Sequence, residues 1–162
     1  MKVRIKFSKY SSMIFIGHLD MMRYFQKAIR RAELDITYST GFSPHQIMSF
    51  AAPLGVGMYS NGEYMDIGMD SFTDAEDIKK RLQAQMVEGV DILSVTALPE
   101  TAGNAMASVA AARYTVRFRE GYEPSFELFD HLEAYYSQET LPAIKQTKKN
   151  TVEFDLKEAI YE

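Results

Sequence analysis

The sequence contains no cysteine among its 162 residues. The chain therefore forms no disulfide bond and supplies no thiolate ligand to zinc or to an iron–sulfur cluster. No apolar run approaches the ~20 residues needed to span a bilayer. The N-terminus alternates charged with apolar residues, which is unlike the continuous apolar core of a signal peptide. We therefore expect a cytoplasmic protein without membrane contact, and any iron–sulfur enzyme it works with must be another polypeptide.

Several motifs of catalytic proteins are also missing. There is no Gly-x-Ser-x-Gly elbow, no Walker loop and no glycine-rich dinucleotide fingerprint. His18, Asp20 and His45 have spacings unrelated to known metal-ligand patterns, so we predict no metal site. The sequence predicts no cofactor and identifies no catalytic residue.

Charge is distributed unevenly along the chain. The formal net charge is -4, yet residues 1–50 hold eight Lys and Arg against three Asp and Glu, a net of +5, and residues 51–162 hold ten against nineteen, a net of -9. A basic segment on an acidic protein favours a localised surface that faces an anion. The alternative is a set of solvated charges that have acidic neighbours in three dimensions.

Residues 1–99 predict an α+β subdomain with the ferredoxin-like, split βαβ arrangement. Apolar residues alternate with polar ones at Val3, Ile5 and Phe7, and helical spacing follows over residues 19–32. A Thr-x-x-Glu capping box at Thr73 predicts the start of a second helix. The further predicted elements are strands at 34–38, 46–52, 63–69 and 90–98, and a second helix over 73–87. Both helices are expected on one face of an antiparallel sheet.

The same order of elements restarts after a small, polar linker at residues 100–112. A strand at 114–118, a helix at 124–136 and a hairpin of 141–147 with 151–156, turned at residues 148–150, are predicted. We expect residues 113–162 to form a second, incomplete ferredoxin-like subdomain, so that the chain holds a tandem pair with a truncated second copy. A smaller α+β appendage is the alternative.

The first helix carries the residues that we predict to bind a negatively charged ligand. Arginine and lysine side chains recur along one side of it, and phosphate oxygens match the arginine fork. His18 stands at the entry to this helix and Asp20 in its first turn, and we expect the histidine either to contact an anion or to cap the helix. The predicted ligand-binding residues of the helix are His18, Asp20, Arg23, Lys27, Arg30 and Arg31.

A second group of candidate residues forms the loop Gly41-Phe42-Ser43-Pro44-His45. Gly41 permits a positive φ, and Pro44 biases Ser43 away from the helical region. Such a loop holds its histidine and backbone amides with little freedom. It is expected either to face a ligand or to serve as a tight turn that buries Phe42 and Phe50.

Residues 1–70 resemble the bacterial radical-SAM-linked domain of unknown function. The segments that carry the resemblance are a first strand with a lysine, a His-Leu-Asp start to the basic helix, Tyr-Ser-x-Gly-Phe-x-Pro-His, then Ser-Phe, Pro-Leu, Gly and Glu-Tyr-x-Asp. In this family a serine commonly precedes the histidine, whereas this chain has Gly17 there and lacks a hydroxyl cap. The resemblance implies an accessory partner or a fusion of radical SAM proteins.

Together these observations predict a non-catalytic accessory module that binds RNA, such as tRNA, beside a radical SAM protein. One alternative is a protein-interaction domain whose basic face meets an acidic partner. The other is a metal-independent endoribonuclease with His18 or His45 as general acid and base, in keeping with a loose resemblance in element order to RNA-processing proteins of the CRISPR repeat-cleaving type. The endoribonuclease ranks last, because the sequence places no lysine or second histidine near either one.

Overall fold

A computed structural model describes residues 1–147 and 150–161. The chain divides into two compact units, Met1–Ala112 and Arg113–Glu162. The first unit contains β1 (Lys2–Lys9), α1 (His18–Arg31), β2 (Met48–Phe50), β3 (Ser60–Gly68), α2 (Ala75–Gln83) and β4 (Ile92–Leu98).

The first unit contains a four-stranded sheet with the order β2-β3-β1-β4. Each neighbouring pair is antiparallel, with Ile5 opposite Met65 on β3 and opposite Val95 on β4. This order and these directions are those of a ferredoxin-like, split βαβ unit. The predicted α+β fold class is confirmed.

The core lies between the sheet and the two helices. Val3, Ile5 and Phe7 of β1 are buried, as their alternation predicted, and they join the buried residues of α1 and α2 in one cluster. Helix α1 begins and ends one residue earlier than predicted. The helical spacing places Leu19 on the apolar face together with Phe25 and Ile29, but Leu19 is 61% exposed, and Met21 is buried instead.

Two local predictions in the first unit are wrong. Residues 34–38 form no strand, since Ile36 and Tyr38 make only isolated bridges to Met69 and Gln46. The second helix is not capped by Thr73. Asp74 is its N-cap, and the Asp74 carboxylate accepts hydrogen bonds from the backbone N–H groups of Glu76 and Asp77. These are free N–H groups of the first turn that a hydroxyl cap would otherwise satisfy.

The polar segment after β4 belongs to the first unit. Lys2 on β1 donates hydrogen bonds from its ammonium to the carbonyls of Ala102 and Gly103, at 2.8 and 3.3 Å. A short 3-10 helix, Met106–Ser108, follows.

The second unit contains α3 (Leu128–Tyr136) and a hairpin of β5 (Pro142–Gln146) with β6 (Thr151–Asp155). The predicted helix and hairpin are therefore present, although the helix begins four residues later than predicted and Phe129 in its first turn is exposed. The strand predicted at 114–118 does not form, since the backbone of these residues pairs with no strand in the described part of the chain. The predicted turn includes residues 148 and 149, which lie outside the described residues. The truncated second copy stays a prediction.

Candidate functional site

The start of α1 is held by a buried lysine from β1. The Lys9 side chain is 2% exposed, and its ammonium donates a 2.7 Å hydrogen bond to the carbonyl of Ile16. Gly17 is the N-cap and supplies no side-chain hydrogen bond, as the missing serine predicted. Burial lowers the pKa of Lys9, and the charge of Glu63 partly opposes this change.

Lys9 and His18 line the same small pocket. Its walls are mostly apolar, and the space inside admits little more than a water molecule. The His18 ring meets Phe50 edge-to-face, with 5.1 Å between the ring centroids. The lining residues are Phe7, Lys9, His18, Met21, Phe50, Ala52, Leu54 and Glu63.

Two acidic residues of β3, three apart along the strand, lie on opposite faces of the sheet. Glu63 stands opposite Phe7 on β1 and lines the pocket. Asp66 is 4% exposed and accepts two hydrogen bonds from the Arg4 guanidinium, at 2.7 and 2.9 Å. These contacts raise the pKa of Arg4, first through the hydrogen bond and then through the charge of Asp66. Asp66 therefore pairs with β1 and not with the basic helix.

The predicted basic residues of α1 are exposed but not equivalent. Arg23 pairs with Asp20 at 3.1 Å, an exposed contact between residues three apart. Arg31 donates to the carbonyl of Gln85 at 3.3 Å. Within the described part of the chain, the ammonium of Lys27 and the guanidinium of Arg30 make no hydrogen bond or ion pair.

Hydrogen bonds between Ser39 and His45 close the base of the Gly41–His45 loop, whose residues are exposed. The Ser39 hydroxyl oxygen accepts a hydrogen bond from the His45 backbone N–H at 3.1 Å and lies 2.8 Å from Nδ1 of the same histidine. The side-chain amide of Gln46 donates to the carbonyl of Gln26 on α1 at 3.3 Å. The residue that follows the loop is therefore tied to α1. Phe42 is fully exposed and is not buried by a tight turn, whereas Phe50 is buried as expected.

The structure brings together some of the predicted residues and separates others. His18 lines the pocket with Lys9 and Glu63, but Arg23 and His45 do not line it. Ser43 and Pro44 are exposed in the loop, and Gly41 has a positive φ of 113°, which a glycine adopts without strain. Lys9 was absent from the predicted site. Its signal in the sequence is a lysine two residues after Phe7, in the register of β1 that the alternation assigns to the core.

Within residues 1–147 and 150–161, no group of three or more histidine and acidic side chains is arranged to hold a metal ion. No helix in those ranges combines the length and the apolar character needed to cross a membrane.

No curated protein matches the chain, but a model of a protein family does. The family model DUF2344, described as an uncharacterized protein conserved in bacteria, matches residues 2–162. That description names no radical SAM protein, ligand or activity. Because the match spans both units, the chain belongs to this family of uncharacterized proteins conserved in bacteria.

Proposed function

We propose that this protein is an accessory domain that binds RNA, such as tRNA, through α1 and the Gly41–His45 loop, beside a radical SAM protein. The observation that carries the proposal is the hydrogen bond between the Gln46 side chain and the Gln26 carbonyl. It joins the residue that follows the exposed loop to the helix that carries Lys27 and Arg30. Cations beside exposed aromatic rings are what proteins use to contact phosphates and unstacked bases of RNA.

Lys27 and Arg30 are the strongest candidates for phosphate contacts. Both are exposed, and no carboxylate in the described residues neutralises them. Arg23 can also take part, because an exposed pair such as Asp20–Arg23 contributes less than about 1 kcal/mol and exchanges easily. Phe42 offers a ring with both faces free for a base.

A salt titration of RNA binding tests the proposal. Fluorescence anisotropy with tRNA and with a short single-stranded RNA gives the affinity at each salt concentration. Each neutralised phosphate of a single strand contributes about -0.7 to the slope of log K against log salt. The double variant K27Q/R30Q should lose about two such contributions. K80Q/K145Q removes the same charge from exposed positions outside α1 and should keep the wild-type slope. Absence of binding at low salt, with the protein folded, overturns the proposal.

A protein-interaction function is the second candidate, because apolar side chains are exposed beside the start of α1. Phe15 is 69% exposed, and Leu19 is comparably open. The segment that carries the exposed Val56 and Met58 is tied to Ile14 by the hydrogen bond from Gly57 N to the Ile14 carbonyl, at 2.8 Å. Copurification with a radical SAM protein from the same bacterium that persists after nuclease treatment would favour direct docking. Its loss under nuclease would favour RNA as the bridge.

A further inference from the structure

Lys9 has more hydrogen-bonding capacity than the folded chain uses. An ammonium carries three donors, and Lys9 donates one of them, to the Ile16 carbonyl. No carboxylate in the described residues lies within ion-pair distance of it. Because burying a charge without partners is costly, the remaining donors call for an acceptor inside the pocket.

Glu63 supplies the complementary chemistry in the same pocket. The charge of its carboxylate acts on Lys9 through space and partly offsets the lowering of the ammonium pKa by burial, without forming an ion pair. Within the described residues it also receives no hydrogen bond. The pocket thus contains both a donor and an acceptor that are separated from each other. A hydroxyl group satisfies both, since its oxygen accepts and its proton is donated.

His18 completes the set of titratable groups. Its ring is held edge-to-face against Phe50, and its nitrogens have no hydrogen-bond partner among the described residues. The sequence by itself places no lysine near either candidate histidine. The fold, however, brings Lys9 and His18 into one pocket. The pocket is too small for a base or a whole phosphate group, so one oxygen of the RNA backbone enters it. The rest of the phosphodiester stays at the mouth, where the half-buried side chains of His18 and Glu63 are accessible.

We propose that Lys9, His18 and Glu63 form an acid–base centre that cleaves RNA at a phosphodiester bond beside a 2′-hydroxyl. This inference rests on the proposed binding of RNA and adds a reaction to it. Glu63 accepts the proton of the 2′-hydroxyl, and the 2′-oxygen forms a bond to phosphorus. The bond from phosphorus to the 5′-oxygen breaks, and protonated His18 gives its proton to that oxygen.

Lys9 acts in this reaction as a fixed positive charge. Its ammonium offsets the negative charge that develops on the non-bridging phosphate oxygens, in an apolar pocket where such an interaction is stronger than in water. The products are a 2′,3′-cyclic phosphate and a 5′-hydroxyl. Protons are only exchanged between the RNA and the two side chains, so no oxidant, reductant or other co-reactant is consumed.

The test incubates the full chain with end-labelled tRNA and with a short single-stranded RNA in the presence of a chelator. Cleavage is followed on gels, the 3′ ends are identified by mass spectrometry, and binding is measured in parallel by anisotropy. We expect cyclic phosphate ends and no cleavage of the same strand with 2′-deoxyribose. H18N and E63Q should each lower the cleavage rate of bound RNA, measured at saturating protein, by about 100-fold or more. At saturation a change in RNA affinity does not affect this rate.

Two further variants separate a chemical role from a structural one. K9M should abolish cleavage, and K9R, which keeps the charge, should restore part of it if both variants melt cooperatively. H131N changes an exposed histidine of the second unit that bonds to the Glu127 carbonyl, and it should cleave like the wild type. RNA that binds but stays intact, or cleavage that survives both H18N and E63Q, overturns the centre alone. Absence of binding and cleavage together overturns the proposed function and the centre with it.

Discussion

Lys9, at the end of β1, and Ile16, two residues before α1 begins, are joined by a hydrogen bond of 2.7 Å from the ammonium to the backbone carbonyl. The bond fixes where the helix starts relative to the sheet. It also places a charged group in the apolar wall of the pocket that His18 lines. The same hydrogen bond therefore positions the start of α1 and holds the Lys9 ammonium in the candidate site.

The titration of Lys9 predicts how stability changes with pH. Burial lowers its pKa in the folded protein below the ordinary lysine value of 10.5, so the unfolded chain binds more protons between the two values. The free energy of unfolding of the wild type should therefore rise, relative to K9M, as the pH increases through that window toward 10.5. Chemical denaturation of both proteins at several pH values measures the difference. A difference that stays flat or falls contradicts the lowered pKa.

The N-cap of α1 is a position where stability can be gained. Gly17 has an extended backbone, and a Cβ added to it would lie 3.8 Å from the nearest side chain, on Val56. G17S should stabilise the protein, because its hydroxyl can accept a hydrogen bond from a free N–H of the first turn. Thermal unfolding of G17S and G17A isolates the cap, since both substitutions restrict the unfolded chain. We expect the serine variant to be more stable by about 1 kcal/mol, and equal melting temperatures would refute the cap.

Gly89 is required by both its conformation and its surroundings. Its φ is 101°, and an added Cβ would lie 2.6 Å from the Tyr10 carbonyl oxygen. G89A should destabilise the protein by about 3 kcal/mol, from strain and overpacking together. At Gly41 the φ is 113° with no atom nearby, so G41A should cost only about 1 kcal/mol. G103A has open space and no positive φ, and urea denaturation should show it near neutral.

The pair Arg4–Asp66 should respond unequally to loss of either partner. Asp66 is 4% exposed and Arg4 is 23% exposed, so only Arg4 can reach water when its partner is removed. R4M should destabilise the protein by about 3 kcal/mol because it leaves a buried carboxylate without its partner. D66N keeps an acceptor for the guanidinium and should cost about half as much. The double variant R4M/D66L should recover most of the loss in urea denaturation, and equal costs for the two single variants would contradict this asymmetry.

Phe42 offers a test of function that is separate from stability. Its side chain is fully exposed, so F42A should leave the melting temperature unchanged. Loss of a stacking platform should weaken binding of single-stranded RNA by about 1–3 kcal/mol. F129A, which removes an exposed ring of α3, serves as the matched control and should bind normally. Unchanged RNA affinity in F42A would remove the loop from the proposed surface.

Sequence patterns predicted an element correctly where the rest of the unit supplied the elements that it packs against or pairs with. The alternation of β1 and the helical spacing of α1 predicted those elements within one or two residues, and their order predicted the ferredoxin-like unit. The same alternation at Tyr114, Val116 and Phe118 produced no strand, because a strand also needs another strand to receive its hydrogen bonds. Asp74 replaced Thr73 as a helix cap because neighbouring polar residues compete for the same N–H groups.

The sequence alone determined the class of fold, the position of the basic helix and the exposed character of its cations. Tertiary structure decided which charged groups meet, because those contacts join distant parts of the chain. Arg4 and Asp66 are 62 residues apart in sequence yet form a two-pronged contact. Lys9, His18 and Glu63 come from two strands and a helix, and periodicity within any one segment carries no information about that meeting. Antiparallel pairing of β1 with β3, and packing of α1 on that sheet, brings them into one pocket.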